Sequence, residues 1–71
     1  MLVAERPMVE WVNRVRAEYL EMPGLRLTKP QMRKLWLLAP SLCDAIVDAL
    51  VDSGFLSLRA NNGYARVAND V

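Results

Sequence analysis

Proline and glycine punctuate this chain so often that only short elements fit between them. The prolines stand at 7, 23, 30 and 40 and the glycines at 24, 54 and 63. Pro7 and Pro30 suit the first turn of a helix, where a missing N–H is no loss, whereas Pro23-Gly24 breaks a helix outright. The run after Pro7 predicts a first helix over about residues 7–22. Met8, Val12, Val15, Tyr19 and Met22 recur there at helical spacing as one apolar stripe, with Trp11 at its flank. Glu10, Arg14 and Glu18 follow at i, i+4 on a solvated face.

Beyond the break, Leu25-Arg26-Leu27 alternates as a very short strand does. Thr28 to Gln31 has the form of a capping box and predicts a second helix over about 29–37, with Met32, Leu35 and Trp36 buried, Lys29, Arg33 and Lys34 outward, and Pro40 ending the segment. Ser41 then offers an N-cap, with Asp44 where the helix dipole favours an acid, for a third helix over about 42–53. Gly54 falls at its C′ position, where a left-handed backbone suits glycine. Phe55 to Arg59 and Tyr64 to Val67 alternate as strands around Asn62-Gly63, a hairpin signal, so that a hairpin spans about 55–67; the tail from Ala68 to Val71 is expected to fray.

Seventy-one residues, 54% hydrophobic, allow a single domain, 1–71, whose core must use most of its large apolar side chains. A net charge of +1 at this hydrophobicity argues against intrinsic disorder. One cysteine, Cys43, and no histidine leave no internal disulfide and no zinc ligand set, so neither metal nor cofactor is expected. Catalysis is not expected either, since no nucleophile has a base beside it and no glycine-rich phosphate loop is present. The apolar start is too short for a signal peptide, and the longest apolar run, Leu35 to Ala39, is about a quarter of a membrane span. A cytoplasmic protein with a reduced thiol and no membrane association is the resulting expectation.

The expected class is α+β, mainly helical: three helices, a short strand and a C-terminal β-hairpin. From Thr28 to Val67, and most strongly over Ser41 to Leu56, with Leu50, Gly54, Phe55 and Leu56 in step, the chain resembles bacterial winged helix-turn-helix regulators. It also resembles short bacterial proteins with the same pattern, a likeness that implies no activity. The regulator resemblance implies a third helix that enters the major groove and hairpin residues that touch phosphate. It covers about sixty of the seventy-one residues, and such domains serve DNA binding, RNA binding and protein assembly alike.

Carried over residue by residue, the resemblance meets a conflict of charge. Cys43, Ile46, Val47 and Leu50 form the core face of the third helix, and the opposite face collects Asp44, Ala45, Asp48, Ala49 and Asp52, with Leu42 at its margin. The regulators that the chain resembles tend to hold Ser, Thr, Lys and Arg at those positions, whereas here stand three carboxylates and no cation. Residues 1–40 hold seven Lys or Arg and four Glu, giving +3; residues 41–71 hold two Arg and four Asp, giving −2.

Two functional readings therefore stand side by side. In the first, the protein binds DNA weakly or nonspecifically through backbone contacts from Arg26, Lys29, Arg33 and Lys34 and from Arg59, Asn61, Asn62 and Arg66 on the hairpin. In the second, Leu42, Asp44, Ala45, Asp48, Ala49 and Asp52 dock a basic or helical protein partner. Each group also has a bland reading, as solubilising charge or a solvated helix face. Trp11, Trp36 and Tyr19 read as core aromatics and Cys43 as a small core residue. Leu37, Leu42 and Val51 fall at the edges of buried arcs, and their joint exposure would point to a dimer or partner surface; the sequence leaves monomer and homodimer undecided.

Overall fold

Thr28 opens the central helix as its sequence dictates: its Oγ1 accepts from the Gln31 N–H at 3.2 Å, and Gln31 Oε1 accepts from the Thr28 N–H at 2.8 Å. The computed structural model describes residues 8–67, so the expectations for Pro7 and for the tail at 68–71 lie outside the described residues. Along the chain run α1 (Met8–Glu21), β1 (Arg26–Leu27), α2 (Lys29–Trp36), α3 (Pro40–Asp52), β2 (Leu56–Leu58), a 3-10 turn (Ala60–Asn62) and β3 (Tyr64–Arg66). The strands form one antiparallel sheet in the order β1-β3-β2, with Arg26 and Ser57 both opposite Ala65. The class is α+β, mainly helical.

Several local readings change at the turn between α2 and α3. α2 stops at Trp36 because Leu37 adopts the left-handed conformation, φ 55° and ψ 48°, and its N–H returns to the Arg33 carbonyl. The chain thereby swings Leu38 inward, 7% exposed, and leaves Leu35, expected to be buried, 59% exposed. Pro40 begins α3 at its first position rather than ending a helix, since its fixed φ suits the first turn. The N-cap is Ala39, without a side-chain hydrogen bond, so Ser41 is not the cap. Asp44 consequently lies in the second turn, and its Oδ1 meets Lys29 Nζ at 3.0 Å.

The far end of α3 closes as expected. Gly54, at φ 82°, follows the Ser53 cap, and the N–H groups of Gly54 and Phe55 donate to Val51 and Leu50 at 3.0 and 2.9 Å, the two bonds of a Schellman motif. In the hairpin, positive φ falls on Asn61 and Asn62, one residue earlier than the Asn62-Gly63 pair expected, and Gly63 is extended at φ −86°. The turn is closed by the Arg59 N–H donating to the Gly63 carbonyl at 2.6 Å.

Val15 and Tyr19 of α1, Met32 of α2, Leu38, Cys43, Ile46, Val47 and Leu50 on and before α3, and Leu56 of β2 make the core. Trp11 and Trp36 pack half-buried against it, while Met22, just beyond α1, is exposed. Tyr19 ties α1 to the sheet, its hydroxyl donating to the Tyr64 carbonyl at 2.7 Å, with Phe55 edge-on to its ring at 6.4 Å. On the outer side of α1 the ion pair is Arg14 to Glu18 at 3.6 Å.

Candidate nucleic-acid interface

Side chains alternate across a strand, so the pairing of three strands decides which arginines meet. Arg26, Ser57 and Ala65 share one face through the register around Ala65. Two residues nearer the turn, Arg59 and Gly63 continue that face, joined by their backbone hydrogen bond. Leu27, Leu56, Leu58, Tyr64 and Arg66 take the opposite face, on which Leu27, Leu56 and Tyr64 pack at the core while Leu58 is exposed.

The Arg26 stem fills the space above Gly63: a β-carbon on this buried glycine would stand 2.7 Å from Arg26 Cγ and 2.8 Å from Cδ. Arg26 from β1 and Arg59 at the end of β2 therefore flank Gly63, with exposed Asn61 and Asn62 at the tip. The face made by Arg26, Ser57, Arg59, Gly63 and Ala65 carries two guanidinium groups and no carboxylate. Guanidinium forks match phosphate oxygens in two-point hydrogen bonds, and side-chain amides add donors beside them.

The other basic candidates lie elsewhere. Lys29 is held between Asp44 and the Tyr64 ring, whose centroid is 5.9 Å from its ammonium, and the hydrogen bond to Asp44 lifts its pKa above the ordinary lysine value. Arg33 and Lys34 occupy the last turn of α2, at the opposite end from Lys29. Arg66 stands at the base of the hairpin, opposite Leu56, and lines an open cleft of about 280 Å³ with Leu20, Gly54, Phe55 and Val67. Of the eight candidates, Arg26, Arg59, Asn61 and Asn62 come together.

On α3, Asp44, Ala45, Asp48 and Asp52 are exposed, Leu42 and Ala49 half-buried. Cys43 is fully buried, burial pushes its thiol pKa up, and its Sγ–H donates to the Lys29 carbonyl at 3.8 Å. Two contacts could not be anticipated from the sequence. Arg16 stacks over the Phe55 ring at 5.4 Å, and Gly63 serves as the floor beneath Arg26, a role visible only once β1 is known to pair with β3. Among the described residues no helix is long and apolar enough to cross a membrane. Comparison with known proteins gives no matching family model, no matching curated protein and no matching solved structure.

Proposed function

We propose that this chain is a non-enzymatic winged-helix module that binds the phosphate backbone of nucleic acid at the tip of its hairpin. The element order and the sheet order β1-β3-β2 support the winged-helix reading. The observation that carries the binding reading is the convergence of Arg26 and Arg59 around Gly63 on a sheet face free of carboxylates. α3 would be a poor reader of bases in such a module. Asp48 and Asp52 are exposed, form no ion pair among the described residues, and repel phosphate at short range.

Two phosphate contacts imply weak, strongly salt-limited binding, with a log–log slope near −2 on duplex DNA, since each phosphate neutralised contributes about −0.9. Fluorescence anisotropy with a labelled generic duplex at low ionic strength tests this. Arg26→Ala and Arg59→Ala are each expected to flatten the slope by about one. Absence of binding at low salt overturns the reading. A second reading, a protein-interaction module using the acidic face of α3, is favoured by that same exposure of Asp48 and Asp52.

A further inference from the structure

Leu37 combines two features that rarely occur together in a leucine. It adopts a left-handed backbone, where glycine is the usual residue, and its side chain is 90% exposed. Beside it on the last turn of α2 stand Arg33 and Lys34, and Leu35 is exposed as well. Neither cation forms an ion pair among the described residues. The turn before α3 is thus an apolar knob with a basic collar.

The other end of α3 is its chemical complement. Val51 is 39% exposed there, and Asp48 and Asp52, which flank it on the helix, are exposed without ion pairs among the described residues. The two ends are joined by the thirteen residues of α3, a rigid spacer of roughly 20 Å. Between them Ser41 and Ala45 stand on the outward side, short exposed side chains that permit close approach of another helix. Asp44, which would add charge midway, is already neutralised by Lys29.

We propose that the occupant of this surface is a second copy of the same chain, its α3 lying antiparallel so that the Arg33, Lys34, Leu37 end of each copy meets the Asp48, Val51, Asp52 end of the other. A two-fold arrangement requires every contact to be made twice, once in each direction, and an antiparallel pair of helices with opposite charges at its two ends does this. A parallel pair would set like charge against like. The inference is independent of the nucleic-acid reading, because Arg26 and Arg59 take no part in it.

Sedimentation equilibrium on the whole chain gives the test. The native protein is expected to dimerise at low salt and to dissociate as salt rises from about 0.02 to about 0.5 M. Two double variants reverse one end each: Arg33→Glu with Lys34→Glu, which makes both ends acidic, and Asp48→Lys with Asp52→Lys, which makes both ends basic. Each alone is expected to lose at least about tenfold in dimer affinity, since like charges then face each other. Mixed in equal amounts, the two are expected to form a heterodimer, which a folding defect in either does not produce. Leu37→Gly, which suits the left-handed backbone, is expected to weaken the dimer without lowering the melting temperature of the monomer. A native chain that stays monomeric, variants that dimerise as the native chain does, or a mixture that remains monomeric overturns the proposal.

Discussion

Gly63 has no β-carbon because the stem of Arg26 occupies its place, 2.7 Å from where that carbon would stand. Its own backbone, at φ −86°, is open to any residue, so the constraint is space alone. Gly63→Ala is therefore expected to displace Arg26 from the hairpin tip at a cost of about 1 kcal/mol, at the low end for overpacking, because the neighbour is a side chain that can swing away. Binding to duplex DNA should fall as far as in Arg26→Ala, while Arg59→Ala adds a separate loss. Thermal melting and anisotropy on the three variants measure both effects. Unchanged binding in Gly63→Ala would show that the Arg26 position is immaterial.

Tyr19 links stability to alkaline pH. Burial pushes its pKa up to about 12, against the opposing pull of a backbone hydrogen bond from Leu27, and its hydroxyl donates to the Tyr64 carbonyl at 2.7 Å. A folded-state pKa raised above the unfolded value of about 10 means that the folded chain holds the proton more tightly. That stability is complete below pH 10 and is lost as pH rises from about 10 to 12, by at most about 1.4 kcal/mol per pH unit. Tyr19→Phe should lower stability near neutrality by about 1 to 2 kcal/mol, through the lost hydrogen bond, and remove this alkaline slope. Chemical denaturation across that pH range, native against variant, checks the sign.

What could be read from the residues was what local chemistry decides. Thr28 and Gln31 satisfy each other's backbone within one turn, and Cys43, Ile46, Val47 and Leu50 follow the helical period, so the α2 start and the buried face of α3 were legible. Pro40 was ambiguous because proline ends one helix as readily as it starts the next, and that ambiguity misplaced the cap at Ser41. Leu37 in the left-handed region ran against propensity, and it decided that Leu38 and not Leu35 faces the core. The candidate site was legible as a set of cations but not as an arrangement. Which arginines share a face depends on β1 pairing with β3 across the whole chain, and the fate of Lys29 depends on α2 crossing α3 near Asp44.

The two left-handed helix ends should respond in opposite ways. Gly54, at φ 82°, has nothing within 4 Å of where a β-carbon would stand, so Gly54→Ala meets no clash and reports the backbone alone. The strain of about 1 to 2 kcal/mol is partly offset by about 0.4 to 1 kcal/mol from the stiffer unfolded chain, so a loss of up to about 1.6 kcal/mol is expected. Leu37→Gly relieves the same strain, but glycine also gains freedom in the unfolded chain worth about 0.4 to 1 kcal/mol, so the net gain for the monomer is expected to lie between about 0 and 1.6 kcal/mol. Leu37 contributes little burial to offset this, being 90% exposed. Denaturant melts at concentrations low enough to exclude association compare the two; a large loss in Leu37→Gly would show that its side chain packs in the monomer.

The Lys29 to Asp44 pair, 3.0 Å long but partly open to water at both ends, is expected to matter more for binding than for folding. Exposed pairs contribute roughly 0.2 to 1 kcal/mol, and salt screens them further, so Asp44→Asn should lower stability by less than about 1 kcal/mol. Its electrostatic effect is larger, because it removes a carboxylate from the outward side of α3 and releases a lysine whose raised pKa records that partner. If α3 lies near the bound backbone, Asp44→Asn should tighten duplex DNA binding and steepen the salt slope by about one further phosphate. Lys29→Ala alone should change the slope little, since its charge is already committed to Asp44. A slope unmoved by Asp44→Asn would place α3 away from the phosphates and leave the hairpin tip as the whole of the contact.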